Sequence, residues 1–313
     1  MTPDRASAAG AAAGSAALAK QWRHGTVIRD LAARFAGLGE DPDVLAERAH
    51  ALFADDGWVR ALIEPGIAAL AEDPWVQPPL AVSRDAMKTG AVLFDAGSIV
   101  ITASVTAAER AAAPSSPRSV IVPGRLTVVR YVKSGGARLQ LWRAPPAGSD
   151  FSAAEPKPAT PLGALPLGDG VVLRLDGRTR GWWIEGATSD IVTLTATIRA
   201  GQAPLMRDYA VPSGTFLRCA TLDERAARAQ MLLTFLRVEG RCEAGDRFEA
   251  ASRDPAAFLR WSAMREWLAL DALAALPRLR EMAAGDPSGD VRGVATQTLA
   301  MVEAKRKGRA CRA

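Results

Sequence analysis

The clearest pattern in the chain runs from Ile191 to Arg199, where Val192, Leu194, Ala196 and Ile198 alternate with Thr193, Thr195, Thr197 and Arg199. A period of two is that of a strand with one buried and one polar face. The same texture extends from Pro79 to about Thr221 and predicts about ten strands, enough for a sandwich or a closed barrel. Asp95-Ala96-Gly97, Ser134-Gly135-Gly136 and the run Asp176-Gly177-Arg178-Thr179-Arg180 each separate two such segments, and each predicts a hairpin. Leu205 to Val211 and Thr215 to Ala220 complete the set. Two Pro/Ala/Ser-rich breaks, Ala107 to Pro117 and Pro145 to Pro161, lack large apolar residues and read as loops.

On either side the period changes to that of a helix. Val27, Leu31, Ala32 and Phe35 share one face of a helix that the Gly37-Gly39 region ends. Asp41-Pro42-Asp43 opens a second helix with Leu45, Ala49 and Leu52 on its buried side, and a third follows with Trp58, Leu62 and Ile67, interrupted by Pro65. Beyond the strands, Ala226, Ala229, Leu233 and Leu236 mark one face of a helix over 223–238. A self-similar stretch follows. The segment from Asp254-Pro255 to Trp267 matches the segment from Asp286-Pro287 to Leu299 at an offset of 32, so that Arg260 aligns with Arg292, Ala263 with Ala295 and Leu259 with Val291. In each copy an aspartate caps the helix, a proline fits its first turn, and apolar residues four apart form a stripe. Leu273, Leu276, Leu279 and Met282 supply the helix between.

Asp286, Pro287, Val291, Arg292, Ala295 and Leu299 resemble the second helix of a HEAT repeat, over about Phe248 to Val302. That resemblance implies a short helical repeat whose surfaces hold proteins. It is too short to stand alone as a solenoid and must pack on something else. Gly168-Asp169-Gly170 and the run Val171-Val172-Leu173-Arg174-Leu175-Asp176-Gly177 resemble a cupin-type jelly roll. The metal-binding members of that family need clustered histidines, whereas the two histidines here, His24 and His50, both fall in the helical lead-in, so no such metal centre forms. The expected architecture is therefore an α+β multidomain chain: a disordered leader over 1–18, helices over 19–78, a β-sandwich or jelly-roll (cupin-like) barrel over 79–221, HEAT-like helices over 222–304 and a basic tail over 305–313.

Composition adjusts this picture only at its margins. The Ala/Gly-rich start lacks the greasy centre of an export signal, and no apolar run is long enough for a spanning helix. Cys219, Cys242 and Cys311 are widely spaced, as reduced cytoplasmic thiols are. The net charge of +5 is spread along the chain apart from Lys305-Arg306-Lys307-Gly308-Arg309, which reads as a solvated helix end; nucleic acid and membrane are not expected partners. No phosphate-cradling or dinucleotide motif occurs, no cofactor is expected, and no catalytic residue is assigned.

What chemistry remains is polar and aromatic. Alternation places Arg174 and Asp176 opposite Val171, Leu173 and Leu175, Arg130 opposite Tyr131, and Gln140 with Trp142 opposite Leu139 and Leu141. Turned inward, Arg130, Gln140, Trp142, Arg174, Asp176, Trp183, Glu185 and Thr195 line a pocket for a small anionic or aromatic ligand. Turned outward, they form a solvated sheet face. Two functional readings follow: a non-catalytic accessory protein that binds a protein or peptide through its β domain and helices, or a small-ligand sensor or histidine-independent enzyme with a pocket in the barrel.

Overall fold

The computed structural model describes residues 5–85, 88–111, 119–147 and 156–310 of the chain, with the side chains of 5–9, 110–111 and 305–310 outside the description. It divides into two compact units. The larger holds the N-terminal helices and most of the strands; the smaller holds the helices from α6 onward.

The larger unit begins with α1 (Arg5–His24), α2 (Thr26–Phe35), α3 (Pro42–Leu52) and α4 (Gly57–Glu72). Helix α1 covers most of the stretch expected as a leader. Alanine is the strongest helix former, Ala11 and Leu18 are buried, and the Ser15 hydroxyl accepts a hydrogen bond from the Gln77 amide at 2.9 Å. The expected helix starts are found: Asp41 caps α3 by accepting from the amides of Asp43 and Val44. Pro65 lies inside α4, and Ile67, expected on its packed face, is exposed.

Twelve strands follow among the described residues: β1 (Ala81–Arg84), β2 (Lys88–Asp95), β3 (Ile99–Thr106), β4 (Ser119–Val122), β5 (Leu126–Lys133), β6 (Arg138–Arg143), β7 (Thr160–Pro166), β8 (Val172–Asp176), β9 (Arg180–Glu185), β10 (Ile191–Ile198), β11 (Leu205–Ala210) and β12 (Phe216–Thr221), with the short α5 (Ala108–Ala111) after β3. Parts of both Pro/Ala/Ser-rich breaks lie outside the described residues. Sheet A runs β1-β2-β3-β10-β5-β8, sheet B β12-β11-β4, and sheet C β7-β6-β9. Every register recorded between neighbouring strands is antiparallel. The order β3-β10-β5-β8 in one sheet, with β9-β6-β7 in another and β4 meeting β9 at Gly181, is the two-Greek-key strand order of a jelly roll.

Of the three expected hairpins, only β2–β3 pairs across its turn, with Gly97 in the left-handed region that a tight turn requires. The other two turns carry the chain between sheets. Strands β5 and β8 belong to sheet A, while β6 and β9 belong to sheet C. At the first crossing Gly135 and Gly136 both have positive φ, and a side chain on Gly135 would meet the Ser189 carbonyl oxygen. Asp169 fixes that corner by accepting from the Ser134 amide and hydroxyl, each at 2.7 Å. These bonds hold its carboxyl below the usual carboxylate range.

The helical lead-in and sheet A share a core. Leu31, Phe35, Leu45, Ala49, Leu52, Phe53 and Leu62 pack against Leu93, Phe94, Ile99, Ile101, Leu126, Val128, Leu194, Ala196 and Ile198 of sheet A. Burial of each large side chain contributes roughly 1.5–3 kcal/mol. The opposite face of A meets sheet C through Val129, Tyr131, Leu139, Leu175 and Ile191. A further cluster joins residues of sheets B and C through Trp142, Val120, Val122 and Tyr209.

The smaller unit contains α6 (Glu224–Val238), α7 (Gly245–Ala251), α8 (Ala257–Leu270), α9 (Ala272–Gly285) and α10 (Gly289–Ala310). Its core joins Ala226, Leu233, Phe248, Leu259, Ala263, Met264, Trp267, Leu276, Leu279, Met282, Val291 and Ala295. Similar hydrogen bonds stand at the starts of α8 and α10. Asp254 accepts from the Ala256 amide and Asp286 from the Ser288 amide, both at 2.9 Å. Arg260 donates to the carbonyls of Asp254 and Pro255, and Arg292 donates to those of Asp286 and Pro287. Between the copies, Arg260 forks onto the Asp286 carboxylate at 2.9 and 2.6 Å in a site where both side chains are buried.

Candidate functional site

The eight polar and aromatic residues singled out from the sequence do not converge. They separate into three places, because one strand face can serve only one layer.

Arg130, Arg174 and Asp176 lie on the helix-facing side of sheet A. Arg130, on β5, donates through its NH1 to the carbonyls of Phe53 and Ala54 and pairs with Asp56 at 3.2 Å. Arg174, on β8, pairs with Asp43 of α3. Asp176 holds Arg178 through two side-chain bonds of 2.8 and 2.9 Å. Burial alone would raise the Asp176 carboxyl, but the bonds from Arg178 outweigh it and hold the group below its ordinary value. These residues fasten helices and turns to the sheet. A pocket joining them to the other five does not form.

Gln140, Trp142, Trp183 and Glu185 do come together, on the face of sheet C that points away from sheet A. Gln140 and Trp183 are directly opposite across β6 and β9. Glu185 accepts from the Gln140 amide at 2.6 Å and from the Trp183 indole at 3.4 Å. The rings of Trp142 and Trp183 lie 6.2 Å apart and tilted by 34°. Trp142 is buried, while Trp183, Gln140 and Glu185 are half-buried. Trp182 points the other way, into the core between sheets A and C, as adjacent strand residues must.

Thr195 occupies a third place, the side of sheet A opposite the helices. It belongs to a hydroxyl ladder in which Thr102 donates to the Thr195 carbonyl oxygen at 3.5 Å, and Ser104 and Thr193 share a 2.8 Å hydrogen bond. Tyr131 sits on the same face, and burial pushes its phenol well above its usual value. A surface depression of about 320 Å³ elsewhere in this unit is lined by Glu40, Gly97, Ser98, Arg199, Ala200, Gly201 and Gln202, and contains none of the eight.

Among the described residues no group of three or more His, Cys, Asp or Glu side chains is placed to hold a metal ion. His24 and His50 are exposed on α1 and α3. No helix among the described residues is long and apolar enough to cross a membrane.

The feature that the sequence reading passed over lies on α6. Its packed face is the one expected, with Ala226 and Leu233 buried and Ala229 and Leu236 against the core. Its opposite face carries Met231, Leu232, Phe235 and Val238, exposed at 68, 63, 57 and 64%. Their spacing of i, i+1, i+4 and i+7 gives a second apolar stripe, visible in the sequence as a helix apolar on two sides.

No family model and no curated protein matches the chain. Among solved structures, it is similar to a sugar phosphate isomerase of the cupin superfamily from Silicibacter pomeroyi DSS-3, at 15% identity over 44% of this chain and 78% of that one, with a TM-score of 0.25. It is similar to a chain from crystal structures of DMSP lyases, at 13% identity over 62% and 95%, with a TM-score of 0.28. Hydroxypropylphosphonic acid epoxidase from S. wedmorenis follows at 16% identity over 59% and 97%, with a TM-score of 0.26. The match to the 7S globulin of Momordica charantia spans 36% of that protein's length, at 10% identity over 43% of this chain and a TM-score of 0.26. Likenesses this faint transfer no activity. The jelly-roll description rests on the strand order itself.

Proposed function

We propose that this chain is a non-catalytic accessory protein whose HEAT-like helical unit docks a partner protein, with the outward stripe of α6 as the contact surface. The observation that carries the reading is a helix apolar on both faces with only one face covered. Side chains such as Phe235 and Leu232 gain most from removal from water, and a contiguous exposed apolar patch of this kind marks an interaction site. The helical spacing of the stripe suits a partner segment that presents apolar residues at the same spacing, as helices packed on helices do. The polar residues of the strand-rich unit support the same reading, since Arg130, Arg174 and Asp176 are committed to internal bonds.

The test is site-specific photocrosslinking in cells with a photoreactive phenylalanine at position 235, and at position 183 as the control. A discrete adduct from 235 that disappears when Leu232→Asp is added supports the proposal. Adducts from 183 alone, or none from 235, contradict it. A second reading, a small ligand held on the Gln140, Trp183 and Glu185 face, draws on the half-buried indole beside a carboxylate and an amide. A thermal-shift screen of organic acids and aromatic metabolites sensitive to Trp183→Ala would favour it instead.

A further inference from the structure

The arginines of the helical unit form a ladder with one rung open. Arg225 forks onto Asp254 at 3.0 and 3.4 Å, and Arg260 forks onto Asp286 at 2.9 and 2.6 Å. Each receiving aspartate sits just before a helix and accepts from the amide two residues on. Arg260 divides its donors between two tasks. Its NH1 holds the carbonyls of its own turn, and its Nε and NH2 hold the next carboxylate.

Arg292 occupies the equivalent position 32 residues later and repeats the first task, with NH1 on the carbonyls of Asp286 and Pro287. The second task has no taker. Arg292 is exposed, and among the described residues it makes no ion pair. The surface around it is low: Gly293 has open space where a side chain would stand, Gly289 meets only the Arg292 guanidinium, and Thr296 and Ala300 are exposed on the same side of α10.

We infer that Arg292 is a carboxylate-binding site for a partner helix, taking an aspartate that immediately precedes a helix on another polypeptide, as Arg260 takes Asp286. The inference rests on the reading of the helical unit as a protein-docking surface and supplies the chemistry of one contact. Planar two-point recognition by guanidinium favours a carboxylate over other acceptors, and the small residues beside it let a helix backbone approach.

The experiment uses the full chain and a fluorescent synthetic peptide copying residues 284–304, which carries the aspartate-proline helix start. Anisotropy titration is expected to show saturable binding that weakens about tenfold with Arg292→Gln in the protein. Asp286→Asn in the peptide alone is expected to weaken it equally, and this arm leaves the protein untouched. Combining the two should add little further loss, because both remove the same contact. Arg292→Lys is expected to restore only part of the affinity. Absence of saturable binding, or equal binding of the parent and Asp286→Asn peptides, overturns the inference. The crosslinking from position 235 is read independently of this result, so a failure of the Arg292 site and a failure of the α6 docking surface are told apart.

Discussion

The strand-rich unit and the helical unit use arginine in opposite ways. In the first, Arg130 and Arg174 reach from sheet A to the helices above it, and each ends on an acid or carbonyl of the same unit. In the second, Arg260 of α8 links to the aspartate before α10, and Arg292 of α10 holds only carbonyls of its own turn. Arginine fastens helices to a sheet in one place and one helix to the next in the other. The difference teaches that a polar residue on a strand is uninformative about ligands until its layer is known, whereas two like contacts on neighbouring helices can be compared donor by donor.

Four substitutions or conditions sharpen that contrast. Arg260→Ala should have the largest effect, about 3–5 kcal/mol, because it leaves the fully buried Asp286 carboxylate unpaired. Thermal unfolding followed by helical circular dichroism measures it, and a loss below about 1 kcal/mol would show that the rung is solvated rather than buried. Acid should act on the same pair. Burial raises the Asp286 carboxyl, but the Arg260 fork and the Ser288 amide more than reverse this and hold it below its ordinary value. A depressed carboxyl stabilises above its unfolded pKa, roughly 4, and that contribution disappears as pH falls through the folded value. The wild-type helical unit should therefore lose stability on acidification, and Arg260→Ala should flatten that slope.

Arg130→Ala should cost about 1–3 kcal/mol by removing the donor to two carbonyls of the α3–α4 connection. Proteolysis in the α3–α4 connection should accelerate with it, and an unchanged cleavage pattern would argue against a fastening role. Arg174→Ala should matter least, under about 1 kcal/mol, since its ion pair with Asp43 is exposed on both sides.

Much of the fold was legible because local rules carried it. The alternation in β10 and the Asp41 cap are each written in neighbouring residues, and each reappears as burial or hydrogen bonds. The sheet assignment was not. Ser134-Gly135-Gly136 has the composition of a hairpin turn, yet β5 takes β10 and β8 as partners, a choice made by residues far along the chain. The same ignorance scattered the candidate site, since Arg130 and Gln140 point into different layers once β5 and β6 belong to different sheets. The Ala/Gly-rich start lacks a greasy centre, yet its alanines favour helix, and α1 runs through it. On α6 the sequence stripe Ala226, Ala229, Leu233 and Leu236 marks the packed face, and Met231 and Phe235 mark a second one.

The most direct test is a side-by-side capture of the crosslinked partner by Phe235→Asp and Trp183→Ala chains, each first shown to melt as the wild type does. Docking on α6 predicts at least about a tenfold loss for Phe235→Asp, as for a central apolar anchor, and a change within about twofold for Trp183→Ala. The reverse order, with Trp183→Ala abolishing capture and Phe235→Asp leaving it intact, would place recognition on the strand-rich unit and contradict the account.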